Sequence, residues 1–125
     1  MNKDEESVYR GLRKFNGAMG VIHLIQGILM VILSNNSFVT VTYNKPLYMP
    51  GSGISSEAIA FFDVRIGPLV ALFLFISATA HFLISTVLYE WYVENLMKHI
   101  NPARWYEYSF SASLLIVIIA MLTAV

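Results

Sequence analysis

Residues Asn101 to Val125, NPARWYEYSFSASLLIVIIAMLTAV, contain the pattern that decides the fold. The segment begins as helices do, with Asn101 as a candidate N-cap and Pro102 at the first helical position. It ends in an apolar run without a helix breaker, which predicts a helix that spans a membrane. One side-chain carboxylate, Glu107, lies inside it. Because an ionised group at membrane depth costs on the order of a few kcal/mol, we expect Glu107 to be paired or functional.

The composition of the whole chain also indicates a membrane protein. Of its 125 residues, 57% are hydrophobic and 13% are charged, and the mean hydropathy is +0.62. Three windows, residues 15–44, 66–89 and 108–125, carry no Asp, Glu, Lys or Arg. Since about 20 residues cross a bilayer, these windows predict three transmembrane helices. A soluble helical bundle would need polar outer faces, which these windows lack.

Charge and cysteine content argue against other classes of protein. The formal net charge is zero, which argues against nucleic-acid binding. The sequence contains no cysteine, so it forms no disulfides and has no thiolate sites. The first hydrophobic run is long for a signal peptide and lacks a convincing cleavage site, so we predict that it stays in the protein as a helix.

The charge-free windows and the breakers between them predict six segments. These are an N-terminal segment (1–14), a first transmembrane helix (15–33), a hairpin loop (34–58), a second transmembrane helix (59–89), a connection (90–101) and a third transmembrane helix (102–125). In the loop, Ser37 to Asn44 alternates as a strand does, and Leu47 to Met49 is a candidate return strand. So long a loop predicts a small β-hairpin outside the membrane.

Lysine and arginine residues predict the orientation in an integral cell-membrane protein. The N-terminal segment contains four of them, whereas the hairpin loop contains only Lys45, with Arg65 following it. The connection contains Lys98, and Arg104 comes soon after. Because cytoplasmic segments carry the excess of these residues, we predict a cytoplasmic N-terminus and an external hairpin.

Each predicted span carries one ionisable residue at membrane depth: His23, His81 and Glu107. With a rise of about 1.5 Å per residue, all three fall in the cytoplasmic half of the membrane in this orientation. Histidine changes its charge near neutral pH, and a carboxylate can balance a buried cation. The set therefore predicts a proton relay or the counter-ion of a buried cation.

Other interpretations stay open at this point. Two histidines and one carboxylate could bind a transition metal, but the sequence argues against it because no His-x-x-x-His or Glu-x-x-His pair places two ligands on one helix. Ser77 and His81 lie one turn apart, but no oxyanion site accompanies them, so we expect no enzyme. Two further alternatives are a proton- or ion-conducting protein and a small three-helix structural protein in which Arg104 and Glu107 form a buried ion pair.

The segment NPARWYEYSFSAS (101–113), together with His23, His81 and the long hairpin loop, strongly resembles the heliorhodopsins. The resemblance covers the whole chain and is most specific from Arg104 to Ser113. It implies a bundle of seven helices around retinal, which is joined to a lysine by a protonated Schiff base, with the N-terminus in the cytoplasm. It implies a light sensor rather than a pump.

The resemblance also implies roles for individual residues. Glu107 matches the Schiff-base counter-ion, and His23 and His81 match a polar cluster that accepts or holds the proton. The same resemblance adds Asn16, Gln26 and Arg104 to this cluster, and it places Ser77, Tyr108 and Ser111 near the Schiff base or the retinal pocket. The external hairpin is implied to contribute to a homodimer.

The lysines depart from the family pattern. The retinal lysine of the family lies on the seventh helix, whereas the four lysines here, Lys3, Lys14, Lys45 and Lys98, fall in predicted tails or loops. The resemblance therefore implies that these residues are the N-terminal portion of a heliorhodopsin, covering helices one to three. The attachment lysine and the remaining helices of the bundle are then expected from outside these residues.

Overall fold

The computed structural model of the protein describes residues 3–36, 38–51 and 53–123. Its elements are, in chain order, α1 (Lys3–Leu33), β1 (Val39–Met49), β2 (Gly53–Val64), α2 (Ile66–Ser85), α3 (Tyr89–Met97) and α4 (Pro102–Thr123). Within the described residues, α1, α2 and α4 are long and apolar enough to cross a membrane. The prediction of a mostly helical protein with three candidate membrane-spanning helices and a hairpin between the first two is confirmed.

The return strand of the hairpin differs from the prediction. Leu47 to Met49 belongs to β1, so its assignment as the return strand was wrong. The two strands instead meet at the pair Met49 and Gly53, with a turn at Pro50 and Gly51. Gly51 and Gly53 have φ angles of +94° and +87°, values that glycine adopts without a steric penalty. Pro46 does not end β1, because both strands of a two-stranded sheet are edge strands, where proline is tolerated.

The bounds of the second helix also differ from the prediction. Residues 59–64 belong to β2, and α2 begins at Ile66, because pairing with β1 satisfies the backbone of this apolar run. A short apolar run fits a strand and a buried helix equally well by sequence pattern. At the other end, Thr86 adopts a non-helical conformation with φ −124° and ψ −92°, so α2 stops at Ser85 and α3 follows as a separate helix.

The N-terminal segment is part of α1 in the described residues. Lys3 and Lys14 therefore lie in a helix, and Lys45 lies in a strand of the hairpin. The first turn of α1 contains Asp4, Glu5 and Glu6. Carboxylates at this position interact favourably with the helix dipole, which helps to start the helix before the apolar run begins.

The hairpin is antiparallel, with a register shift between Val41 and Thr42. Val41 is its buried hydrophobic residue in the described part of the chain, and β1 contacts α4. Phe61 and Tyr48, by contrast, are 71% and 78% exposed. The hairpin thus contacts α4 through β1, while much of its aromatic surface is uncovered.

The central helix is α2, with α1 along one side and α4 along the other. Gly20 and Gly27 of α1 lie against the rings of Phe82 and Phe75 of α2. A Cβ atom added at Gly27 would lie 2.5 Å from the Phe75 ring, so only glycine permits this approach. The two glycines therefore fix how closely α1 and α2 pack.

The turn between α3 and α4 positions the start of α4. The amide of Ile100 donates to the carbonyl of Asn95 at 3.1 Å, and His99 has a φ of +58°. This is a Schellman motif, in which histidine occupies the position that usually holds glycine. Next in the chain, Asn101 Oδ1 accepts a hydrogen bond of 3.2 Å from the amide of Arg104, which confirms the predicted N-cap.

Candidate functional site

Glu107 lies half-buried between α4 and α2. Its Oε1 accepts a hydrogen bond of 2.8 Å from Ser77 Oγ, and Ser77 is itself only 6% exposed. No other hydrogen bond or ion pair to Glu107 is formed within residues 3–36, 38–51 and 53–123. The carboxylate is therefore held in place by a neutral donor, and no lysine, arginine or histidine lies within ion-pair distance of it in this part of the protein.

Arg104 lies near Glu107 in sequence but interacts elsewhere. Its Nη2 donates to Tyr108 Oη at 2.7 Å, and its guanidinium lies 4.8 Å from the centre of the Tyr108 ring. Both side chains are exposed. The buried ion pair between Arg104 and Glu107, which the structural alternative requires, does not form among the described residues. The positive charge of Arg104 is directed along the surface of α4 instead.

The two histidines meet at the interface of α1 and α2. Their rings are stacked, with centres 5.6 Å apart and an angle of 21° between the planes. His81 Nδ1 lies 2.9 Å from Asn16 Oδ1, and His23 Nδ1 lies 3.1 Å from Gln26 Oε1. The structure thus links four of the predicted cluster residues through the stacked rings, each ring with an amide partner.

Two cavities are bordered by both His81 and Glu107, and His23 borders the second of them. The first, of about 310 Å³, is bordered by Asn16, His81, Arg104, Glu107 and Tyr108 among others. The second, of about 370 Å³, is bordered by His23, Ser77, His81, Glu107, Tyr108 and Ser111 among others. Every predicted site residue except Gln26 borders at least one of them, and Gln26 reaches the site through His23.

The other side of Glu107 is apolar. A cavity of about 240 Å³ between α2, α3 and α4 is bordered by Ile76, Leu83, Trp91, Phe110 and Glu107 among others. Glu107 therefore lies at the boundary between a polar region, shared with the histidines, and an apolar region. A charge at such a boundary is poorly solvated, which favours pairing with a buried cation.

Sequence analysis missed two parts of this region. Arg13 Nε donates to the carbonyl of Ser85 at 2.8 Å, and its guanidinium lies 4.6 Å from the centre of the Tyr89 ring. Tyr92 is 7% exposed and borders the first cavity. Nothing in the sequence pairs Arg13 with Tyr89, because 75 intervening residues separate them. A basic residue at the start of the first span was the available signal.

A metal site receives no support from the geometry. No group of three or more His, Cys, Asp or Glu side chains in the described residues is arranged to hold a metal ion. What the arrangement does offer is a carboxylate bound to a hydroxyl group, two stacked imidazoles bound to amides, and two cavities bordered by both His81 and Glu107. These groups can bind a cation or hold a proton.

Comparison with known proteins identifies the family. The family model described as Heliorhodopsin matches residues 12–125. None of the curated proteins compared with the chain matches it. The family match extends from α1 through α4 and includes every residue of the site, which confirms the resemblance seen in the sequence.

Proposed function

The chain belongs to the heliorhodopsin family, and we propose that it supplies the counter-ion and the proton-holding cluster of a light-sensing retinal receptor. The observation that carries this proposal is the set of contacts that the Glu107 side chain makes. Glu107 lies half-buried in a candidate membrane span, is bound to Ser77, and forms no ion pair among the described residues. A carboxylate at membrane depth without an ion pair is unfavourable, so its retention there favours a positively charged ligand group beside it.

The residues of the site fit retinal. Retinal bound as a protonated Schiff base would supply the chromophore and the buried positive charge. Glu107 would balance that charge, and Ser77 would orient the carboxylate through its hydrogen bond. Tyr108 and Ser111 border the second cavity beside Glu107 and would line the pocket. No lysine borders this cavity in the described residues, so the attachment lysine is expected from further helices of the bundle.

His23 and His81 would hold a proton that leaves the Glu107 region. They border the same cavity as Glu107, and each ring is already bound to an amide at Nδ1. A proton placed on one stacked imidazole can be stabilised by that amide oxygen. Holding the proton inside the protein, instead of releasing it, is what we propose for a sensor as opposed to a pump.

The proposal includes a membrane orientation and a dimer. The distribution of lysine and arginine favours a cytoplasmic N-terminus, with the hairpin outside the cell. The hairpin has exposed aromatic side chains and strand edges without a further strand in the described part of the chain, which favours pairing with a second copy. A Tyr48→Cys variant tests this pairing, since the chain has no other cysteine and a dimer would form a disulfide-linked species.

The test of the proposed function is the Glu107→Gln variant, in a protein that contains this chain and the helices with the attachment lysine, loaded with retinal. We expect a visible absorption band that hydroxylamine bleaches and that shifts in the variant. We also expect the Schiff-base proton to be lost at lower pH, because a neutral amide stabilises it less than a carboxylate does.

Glu94→Gln is the matched control. Glu94 is an exposed residue of α3 that borders none of the cavities around Glu107. This variant should keep the native band and the native proton retention. An unchanged spectrum together with unchanged proton retention in Glu107→Gln would rule out the counter-ion role.

A further inference from the structure

Asn16 of α1 forms side-chain contacts in two directions. Its Nδ2 donates to the carbonyl of Leu12 at 3.0 Å, and its Oδ1 lies 2.9 Å from Nδ1 of His81 on α2. Asn16 is only 5% exposed, so water competes weakly for these bonds. The amide therefore links the backbone of one helix to an ionisable ring on the next.

The carbonyl of Leu12 determines which way the amide faces. A carbonyl oxygen can only accept a hydrogen bond, so the group that faces it must be the NH₂ of Asn16. If the amide were turned over, two acceptor oxygens would face each other, and a buried donor would be lost. The oxygen of Asn16 is consequently the atom presented to His81.

We infer that Asn16 fixes His81 as the neutral tautomer with its proton on Nδ1 and a lone pair on Nε2. An amide oxygen only accepts, so the ring nitrogen that faces it must carry the hydrogen. In a neutral imidazole the other nitrogen is then an acceptor. Nε2 of His81 has no hydrogen-bond partner among the described residues, so it is free to take up a proton.

The functional consequence of this tautomer rests on the proposed function. His81 and Glu107 border the same two cavities. When a proton moves from a protonated Glu107 to His81, an O–H bond breaks, an N–H bond forms at Nε2, and the carboxylate is restored. The Nδ1–H bond to Asn16 stays in place and becomes charge-assisted, which strengthens it. His81 can thus become charged without rotating its ring, and Asn16 is a positioning residue for that transfer.

His23 provides an internal comparison. Its Nδ1 lies 3.1 Å from Gln26 Oε1, but Gln26 is exposed and its amide nitrogen has no partner within the described residues. No backbone carbonyl therefore fixes the orientation of the Gln26 amide. We expect a defined tautomer at His81 and a less defined one at His23.

The test is ¹⁵N NMR of the histidine ring nitrogens in the protein in lipid bilayers, without retinal, at a pH above neutrality. The chain has three histidines, so His99→Asn and His23→Phe variants assign the signals. In the native protein, His81 should show a protonated Nδ1 and an unprotonated Nε2. In Asn16→Leu, the ratio of the two tautomers should shift several-fold towards Nε2–H.

Two variants separate the specific effect from a general loss of packing. Asn16→Asp keeps an acceptor oxygen for His81 and should keep the proton on Nδ1. Gln26→Leu removes the partner of His23 and should leave the His81 signals unchanged. A native His81 with its proton on Nε2, or an unchanged tautomer ratio in Asn16→Leu, would overturn the assignment.

If Asn16→Leu does not fold, the ¹⁵N spectrum of the native protein still tests whether the proton of His81 lies on Nδ1. Because this measurement uses neither retinal nor light, its failure would remove the role of Asn16 and leave the Glu107 counter-ion proposal standing. Conversely, an unchanged absorption band in Glu107→Gln would remove the counter-ion role and leave the tautomer of His81 as measured.

Discussion

The two interfaces of α2 are built in different ways. Against α1, the contact is close: Gly20 and Gly27 admit the rings of Phe82 and Phe75, with no room for a further carbon atom at Gly27. Against α4, the polar link is the hydrogen bond between Ser77 and Glu107, with cavities on both sides of the carboxylate. One helix thus has a closed interface and an open interface.

We expect the two interfaces of α2 to have different roles, the first in stability and the second in binding. Helix association in a membrane depends on close packing, because lipid is as apolar as the side chains, so the closed interface supplies most of the cohesion. In the described residues, α4 buries Ser111 and Ile118, whereas Phe110, Ile116 and most of its other large apolar side chains stay exposed. The open interface therefore leaves space beside Glu107 for a ligand, lipid or further helices.

The largest effect is expected where the closed interface is broken. Gly27→Ala would place a methyl group 2.5 Å from the Phe75 ring. Overpacking of this kind costs about 1–3 kcal/mol, so the variant should unfold at a lower denaturant concentration. The loss of helical circular dichroism during a titration with sodium dodecyl sulfate measures this.

Gly11→Ala is the control for that experiment. Gly11 lies on the same helix, but nothing lies within 4 Å of an added Cβ. The substitution should be neutral or stabilise the protein by up to about 1 kcal/mol, because alanine favours a helix more than glycine does. Equal effects of the two substitutions would show that α1 and α2 do not pack as closely as described.

A smaller effect is expected at the open interface. Ser77→Ala removes the hydrogen bond to Glu107 and should cost about 1–2 kcal/mol. In the retinal-loaded protein it should also shift the absorption band, since the carboxylate loses its orienting donor. Ser111→Ala is matched in burial and borders the same cavity, but Ser111 makes no side-chain hydrogen bond in the described residues. If both serines gave the same result, Ser77 would have no special link to Glu107.

The smallest effect concerns the end of the closed interface. Arg13→Ala removes the hydrogen bond to Ser85 and the contact with the Tyr89 ring, at a cost of about 1 kcal/mol. Arg10→Ala breaks an exposed ion pair with Glu6 and should stay within about 0.5 kcal/mol of the native protein. The same detergent titration compares the two arginines, and a larger loss for Arg10 would contradict the role of Arg13 as a link between α1 and α2.

Sequence pattern was sufficient for the candidate spans and for locating the three ionisable residues inside them. Charge-free windows of about 20 residues predict spans whatever their neighbours, because a bilayer requires that length. Glu107, His23 and His81 could be identified for the same reason, since ionisable groups at membrane depth are costly. The sequence pattern wrongly predicted a helix at residues 59–64, which form a strand because they pair with β1.

The sequence did not predict the hydrogen-bond partners of the site residues. Arg104 and Glu107 lie three residues apart, which suggested an ion pair, yet Arg104 bonds to Tyr108 and Glu107 bonds to Ser77 on another helix. Spacing along a helix shows which side chains share a face, whereas the choice among them depends on the neighbouring helices.

The sequence by itself determined three membrane-spanning helices, a hairpin between the first two, and a small set of polar residues that lipid would not tolerate unpaired. Only the tertiary structure decided that α1 packs closely on α2 while α4 stands more open, and that Asn16 faces His81. The physical reason is the range of the interactions. Burial in a bilayer acts on each segment separately, whereas a hydrogen bond or a ring contact requires two distant segments to meet within about 3–6 Å.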